Sequence, residues 1–415
     1  AVGVAMTVCF LFYISVFHWL SNLPLELNAL FYEVHTRFWL QPNLIAFCWM
    51  GLALEQLAGR GRLLAAAVSL TLVTSQIFLN YRKLDHSSSQ HIRLYGLMHL
   101  AKLPPNAVLL VKGDIITNSI RYLQRCEGLR PDVQHLDQAM MTYPWFVKKQ
   151  SRHFNISFPR SVYHPYKDEG YSMEEFLDAN LAGDEEEERL CREGKEKTCR
   201  SSSPFYLCGG WYHDEGVQKY GGGIPGYQTW NVGFCDRIRV EGDEPSLSQW
   251  VEEIRRLRPE GMSKRRESAV GTWEQVAYGD YLAALTKPAM AMLTYGEERG
   301  SEEAFGFSAE LYDEALQRSN EFSDVEYKNA AIAFGKSRDP QSACKMVLYF
   351  SLFLLKTSSS HEHQILRTVR DYLVHEQKIP VQGAGCSRDT LLTAKKAYRH
   401  YREVTKIATD TTNRS

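Results

Sequence analysis

The chain has 415 residues, too many for one compact core, so we expect two or three structural units. Its 48 basic and 49 acidic residues leave a net charge of −1, and no nucleic-acid partner is expected because such proteins carry a basic excess. The mean hydropathy of −0.33 conceals a strongly apolar N-terminal region followed by ordinary globular composition. The first residue is Ala1 rather than Met, and we expect the chain to be a piece of a longer protein.

The N-terminal region, residues 1–81, contains three apolar segments that predict transmembrane helices, at residues 1–20, 38–57 and 63–79. A transmembrane helix needs about 20 mainly apolar residues, a length that these segments approach. The middle segment is the weakest because it contains polar residues, namely Gln41, Pro42, Asn43 and Glu55.

The orientation of these helices follows from the positive-inside rule. The short basic connection at residues 59–62 is predicted to be cytosolic, which places the region after Asn80 on the opposite side. Arg82 and Lys83, just after the third segment, favour the opposite orientation. Two N-glycosylation sequons, at Asn155 and Asn413, favour a lumenal location.

The cysteines also bear on the compartment. Cys208 and Cys235 flank a stretch rich in glycine and aromatic residues, and a disulfide between them is plausible in an oxidising lumen. Free buried thiols in a cytosolic domain are the alternative.

Residues 88–247 predict an α/β domain. A helix at residues 92–103 precedes a buried strand at 107–111, and a second helix leads to a strand at 133–136. Asp114 and Asp137 follow these strands, where ligands of parallel sheets bind. They are therefore a candidate carboxylate pair, although we favour the interpretation that each caps a helix or bonds a turn. No nucleotide-binding motif surrounds Gly113, and no metal site is predicted.

Two further stretches lie within this domain. Residues 183–203 contain five consecutive acids and many other charges, which predicts a solvated, disordered insertion. Residues 204–236 are rich in glycine and aromatic residues, which could stack on sugars; we favour the irregular core of a small β region.

Residues 248–415 predict helices throughout, with apolar residues repeating at intervals of three and four. Small residues at helix contacts, such as Ala315 and Ala330, suggest tetratricopeptide-like helix pairs, although the period is irregular. We predict an interruption of one long helix at Pro288. The apolar segment at 346–355 is too short for a membrane span and predicts a buried helix.

A set of residues concentrated between positions 108 and 145 resembles the transmembrane protein 260 family. The matching residues include Gly113, Asp114, Asn118, Arg121, Tyr122, Glu127, Arg130 and Asp137. The match continues through Gln138, Met140, Met141, Thr142, Tyr143 and Trp145, and more distantly at Cys235, Asp236, Trp273 and Glu274. The resemblance runs, with gaps, over most of the chain.

The resemblance implies a multi-pass endoplasmic-reticulum protein O-mannosyltransferase with its C-terminal domain in the lumen. Dolichyl phosphate mannose is the implied donor, and the implied acceptors are Ser or Thr residues of polypeptides, in this family immunoglobulin-like receptor domains. The catalytic carboxylate of such enzymes lies in the first lumenal loop, upstream of this chain. We therefore expect no bound cofactor and assign no catalytic residue here; these residues would supply the last membrane helices and an acceptor-binding domain.

Two alternatives remain open. The chain could be a non-catalytic, membrane-anchored lumenal binding or scaffold protein, since the features described above are compatible with one. Alternatively, Asp114 and Asp137 could themselves carry out catalysis in the soluble domain. The overall fold predicted is mixed, with transmembrane α-helices, a lumenal α/β domain and a C-terminal helical region.

Overall fold

A computed structural model describes residues 2–21, 26, 29–85, 87–154, 156–181, 203–211, 223–262, 272–337, 342–357, 362–378 and 386–412. The sequon residues Asn155 and Asn413 and the acidic stretch at 183–202 lie outside these ranges. The chain forms two compact units. One comprises Ala1–Ile92 and Ser263–Tyr278, and the other comprises Arg93–Met262 and Gly279–Ser415. The boundary predicted between residues 247 and 248 falls inside the second unit.

The N-terminal unit is helical. Its elements are α1 (Val2–Phe12), a π-helical turn (Tyr13–Phe17), α2 (His18–Ser21), α3 (Ala29–Thr36), a 3₁₀ turn (Arg37–Trp39), α4 (Leu40–Arg60) and α5 (Arg62–Leu84). Two stretches of the described helices are long and apolar enough to cross a membrane, Val2–Leu20 and Arg62–Arg82. Their apolar side chains face outward; Leu63 is 90% exposed. The middle segment forms α4, and its membrane crossing stays a prediction.

The second unit contains a five-stranded mixed sheet. Its N-terminal elements are α6 (His91–Leu100), β1 (Val108–Val111), α7 (Asp114–Arg125), β2 (Gln134–Asp137), α8 (Gln138–Met141), α9 (Pro144–Gln150) and α10 (Met173–Leu181). Strands β3 (Phe205–Cys208), β4 (Tyr227–Asn231) and β5 (Cys235–Val240) complete the sheet in the order β2-β1-β3-β5-β4. The predicted helix–strand–helix–strand layer is confirmed, and the glycine- and aromatic-rich stretch supplies the remaining strands of the same sheet.

Strand β1 is the centre of the parallel half of this sheet. Its four residues are fully buried, and they pair in parallel with β2 on one side and β3 on the other. Strands β3, β5 and β4 pair antiparallel. A core cluster of Tyr163, Tyr171, Phe176 and neighbouring apolar side chains packs against the sheet. This burial explains the continuous apolar run of β1, because a parallel strand is covered on both faces.

The C-terminal residues are helical, as predicted. The helices are α11 (Leu247–Leu257), α12 (Trp273–Arg299), α13 (Glu302–Arg318), α14 (Asp324–Lys336), α15 (Ser342–Lys356), α16 (His363–Lys378) and α17 (Arg388–Thr412). Neighbours α13, α14 and α15 pack in sequence, and α17 packs on α15. A tetratricopeptide-like arrangement stays a prediction. Helix α15 buries Val347, Phe353 and Leu354, in line with the buried helix expected there.

The predicted interruption at Pro288 is wrong. Helix α12 continues through this residue, although proline lacks the N–H that would bond to the carbonyl four residues earlier. Buried Leu285, Ala289 and Met292 lie on both sides of it. Their burial favours a continuous helix and offsets the missing hydrogen bond.

Candidate functional site

The carboxyl ends of the three parallel strands meet at one edge of the sheet. Strand β1 is followed by Lys112, Gly113 and Asp114, β2 ends at Asp137, and β3 is followed by the loop 209–211. The chain leaves β1 toward β2 and later returns to β3 on the other side of β1. Such a reversal of strand order opens a crevice in which α/β proteins bind ligands. We call these residues, with the exposed face of α7, the strand edge.

Helix α7 begins at this edge and presents polar side chains to solvent. Gly113 precedes it with a φ of 113°, a conformation that glycine adopts without strain. Asp114, Asn118 and Arg121 are exposed, and their spacing of four and three residues places them on the same face of the helix. The helix N-terminus also leaves backbone N–H groups directed at the edge. The face thus offers a carboxylate, an amide and a guanidinium to a ligand.

Asp137 is committed to a structural role. Its side chain caps α8 by accepting a 2.9 Å hydrogen bond from the backbone N–H of Ala139, so the helix-cap interpretation is confirmed for this residue. Burial raises the pKa of Asp137, and the nearby charge of Asp114 acts in the same direction. Backbone hydrogen bonds and the charge of Arg121 oppose this rise. The two carboxylates are therefore close enough to interact, but one already serves as a helix cap.

His135 is a site residue that sequence reasoning missed. It lies in β2 near Arg121, and burial, followed by the charge of Arg121, lowers its pKa to about 4. The imidazole is therefore neutral at physiological pH. Its Nε2 atom is buried and has no hydrogen-bond partner among the described residues. The sequence offered little signal for it, because β2 reads Gln-His-Leu-Asp and only Leu136 is apolar.

The loop after β3 is held from two sides. The Lys112 ammonium donates a 2.5 Å hydrogen bond to the carbonyl of Trp211, and the fully buried Gln138 amide donates a 2.9 Å bond to the carbonyl of Gly210. Gly209 has a φ of +86°, and a Cβ there would lie 2.4 Å from the carbonyl oxygen of Lys112. Only glycine fits this approach. Two side-chain hydrogen bonds and one close backbone approach therefore hold this loop in place.

Two other residues of the matching set lie away from this edge and are structural. Glu127 accepts two hydrogen bonds from the Arg93 guanidinium, at 2.8 and 2.6 Å. Arg130 pairs with both oxygens of Asp132 and donates to the backbone carbonyls of Leu100, Ala101, Leu103 and Pro104. It ties the end of α6 to the connection before β2. These contacts give both residues a structural role that requires no ligand.

Two exposed aromatic side chains follow the strand edge closely in the chain. Tyr143 and Trp145 follow Asp137 by six and eight residues in the chain, and they are 51% and 45% exposed. Their ring centroids lie 6.4 Å apart with planes tilted by 30°. Exposed rings with polar tips are typical of surfaces that bind polypeptides.

Two disulfides occur in the described residues. Cys208 and Cys235 are bonded and face each other in register between β3 and β5, beside the strand edge. Cys344 and Cys386 are also bonded, a pairing that the sequence did not suggest. It joins the start of α15 to the residues just before α17. Disulfides persist in oxidising compartments.

The first unit contains two apolar, outward-facing helical stretches long enough to cross a membrane, and an α/β and helical unit accompanies it; this combination is typical of a membrane protein. The family model for TMEM260-associated domain 2 matches residues 93–189, which contain most of the strand edge. Residues 93–189 thus match a domain of the TMEM260 family, and the curated relatives support the same family.

Two curated relatives support this assignment. One, named protein O-mannosyl-transferase tmem260, from Dictyostelium discoideum, is 38% identical over 201 residues, which are 43% of this chain and 24% of the relative. Another, named protein O-mannosyl-transferase TMEM260, from Mus musculus, is 27% identical over 332 residues, 76% of this chain and 44% of the relative. The chain thus spans less than half the length of either. No solved structure matches it.

Proposed function

We propose that this chain is part of an endoplasmic-reticulum protein O-mannosyltransferase and supplies membrane helices together with a lumenal domain that binds the polypeptide acceptor. The proposal depends most on two findings: the TMEM260-associated domain 2 model matches residues 93–189, which contain most of the strand edge, and two curated relatives are named protein O-mannosyl-transferases. The donor would be dolichyl phosphate mannose. The acceptors would be Ser or Thr residues of secretory proteins, including immunoglobulin-like receptor domains.

The strand edge is better suited to binding the polypeptide acceptor than to catalysing mannose transfer. Asp114, Asn118 and Arg121 are exposed and can hydrogen-bond to an extended polypeptide, while Tyr143 and Trp145 offer rings to its side chains. Asp137 already accepts a backbone hydrogen bond as a helix cap. A general base must be free to accept the proton of the acceptor hydroxyl. We therefore assign no catalytic role to Asp137, and we propose that Asp114 binds the acceptor together with Asn118 and Arg121.

The location of the chemistry follows from the donor. Transfer with inversion requires a carboxylate that removes the acceptor's proton while the sugar–phosphate bond breaks. A lipid-linked phosphate leaves at the membrane surface, so the base would be held there by other membrane segments of the complete enzyme. The disulfides at Cys208–Cys235 and Cys344–Cys386 support a lumenal location for the second unit.

Mannose transfer to an immunoglobulin-like acceptor domain tests the proposal. Membranes containing the complete protein are compared with membranes containing only this chain, either unaltered or carrying Asp114→Asn and Asp137→Asn. The proposal predicts transfer by the complete protein and none by this chain alone. Absence of transfer by the complete protein would favour a binding protein, and transfer by this chain alone that both substitutions abolish would assign catalysis to the strand edge.

A further inference from the structure

A cleft in the second unit adjoins the strand edge at Trp211, and its remaining walls are formed by residues outside that edge. This cleft has a volume of about 530 Å³, within the range of roughly 300–1,000 Å³ that is typical of small-molecule sites. Strand β4 and the residues before it, together with α11 and α12, form its walls. Five aromatic side chains line it: Trp211, Tyr227, Trp230, Trp250 and Tyr295.

The aromatic wall is preorganised by contacts among its own rings. Trp250 is 4% exposed, and its indole N–H donates a 2.8 Å hydrogen bond to the carbonyl of Asn231. The ring of Trp230 meets it edge-on at 4.8 Å, and that of Tyr295 at 5.7 Å. A wall fixed in this way loses little conformational freedom when a ligand binds.

Charged side chains also line the cleft. Arg299 forms a 2.6 Å ion pair with Glu244, and its guanidinium carbon lies 5.0 Å from the ring centroid of Tyr295. Glu298 is exposed nearby. Among the described lining residues, two glutamates against one arginine give a net charge of −1. This balance disfavours anionic ligands such as phosphates, and the three charges disfavour a purely apolar ligand such as a lipid tail.

We propose that this cleft binds a neutral hexose or a short glycan built from hexoses. A pyranose ring has an apolar C–H face that can lie on the tryptophan and tyrosine rings. Its adjacent hydroxyl groups suit the charge-assisted hydrogen bonds that Glu298, Glu244 and Arg299 offer. The aromatic residues, which the sequence predicted only as core, thus serve partly as core and partly as cleft wall. Binding here does not depend on the transferase activity proposed above.

The test is ligand binding to the detergent-solubilised chain, measured by saturation-transfer NMR. The probes are methyl α-mannopyranoside and methyl β-glucopyranoside, with an unglycosylated Ser/Thr peptide as competitor. We expect at least one hexoside to bind and the peptide not to displace it. No hexoside signal, or displacement by the peptide, would overturn the proposal.

Variants locate the site. Tyr295→Ala should weaken hexoside binding about tenfold, since one stacking surface is lost, and Glu298→Gln should weaken it several-fold. Tyr166→Ala is the matched control, because Tyr166 is 58% exposed and lies outside the lining. If Tyr295→Ala fails to fold, hexoside binding by the Glu298→Gln variant tests the proposal, because Glu298 is exposed. Unchanged affinity in Glu298→Gln and in any folded Tyr295→Ala variant would place the sugar elsewhere and contradict the proposal.

Discussion

Lys112 and Trp211 connect the strand edge with the aromatic cleft of the second unit. The Lys112 ammonium, at the end of β1, donates a 2.5 Å hydrogen bond to the carbonyl of Trp211, whose ring lines the aromatic cleft. The strand edge and the cleft therefore share one loop. A change in the conformation of this loop would alter both surfaces, and the rigidity of the loop is accordingly the first property to test.

Gly209→Ala should destabilise this loop more than Gly210→Ala. Both residues have a positive φ, at +86° and +79°, so each substitution introduces backbone strain of about 1 kcal/mol or more. Only at Gly209 does the added Cβ meet a backbone atom, the carbonyl oxygen of Lys112 at 2.4 Å. Chemical denaturation should show Gly209→Ala losing about 2 kcal/mol more than its neighbour. Equal losses would mean that the close approach does not constrain the loop.

Arg130→Ala should lower the free energy of unfolding by about 3 to 5 kcal/mol. The substitution leaves a carboxylate and several carbonyl groups without their donor, which is the costly way to break a partly buried ion pair. Arg125→Ala, on the exposed end of α7, is the control and should change stability by less than about 0.5 kcal/mol. Similar values for both variants in denaturant unfolding would refute a structural role for Arg130.

The same pair predicts an acid-dependent effect. Arg130 holds the pKa of Asp132 at about 2, below its ordinary value of 3.8. A lowered carboxyl pKa contributes stability above pH 4 that is lost as the pH falls from about 4 to about 2. Wild-type protein should therefore lose stability in this window more steeply than Arg130→Ala.

His135 should make the free energy of unfolding depend on pH as well, at higher pH values than Asp132 does. Its pKa falls from 6.5 in the unfolded chain to about 4 in the fold, so the unfolded state binds the additional proton. The stability that it contributes is complete above pH 6.5 and is lost as the pH falls toward 4, by about 3 kcal/mol at pH 4. In His135→Gln, the difference in unfolding free energy between pH 7 and pH 4 should shrink by this amount. His153→Gln, on an exposed histidine, should leave the difference unchanged; equal behaviour of the two variants would contradict the assignment.

Loss of the Cys344–Cys386 disulfide should destabilise the helical region. The bond joins residues 42 positions apart, and restricting the unfolded chain over such a distance contributes about 4 kcal/mol. Cys344→Ser should therefore lower the midpoint of thermal unfolding. Cys126→Ser, which removes an exposed free thiol, is the control. No difference between the two would show that the bond adds nothing to stability.

The sequence predicts the local helices and strands of this protein better than it predicts which strands, far apart in the chain, pair with each other. The run Val108–Val111 identifies a buried parallel strand, and the spacing of apolar residues identifies the helices around it. The pairing of β3 with β1 could not be predicted, because nearly a hundred residues separate them and their apolar runs fit several partners. Continuity of α12 through Pro288 depends on tertiary burial that local propensity does not contain.

At the candidate site, too, the sequence identified some residues and not others. Asp114 and Asp137 were identified because polar residues that follow buried strands must meet at one edge. His135 and Lys112 were not, and Gln138 was identified only through the family resemblance, since their roles come from the surroundings that the fold builds around them. Cys386 is separated from its partner by residues with no motif, and only the packing of α17 against α15 brings the two sulfurs together.

The most direct test of acceptor recognition at the strand edge is steady-state mannose transfer by the complete enzyme carrying Arg121→Ala or Asp114→Asn. Both residues are exposed on α7, so the fold should tolerate the changes. We expect a raised KM for the polypeptide acceptor, with kcat and the KM for the proposed donor, dolichyl phosphate mannose, unchanged. A large fall in kcat with an unchanged acceptor KM would place the chemistry at this edge and contradict the account.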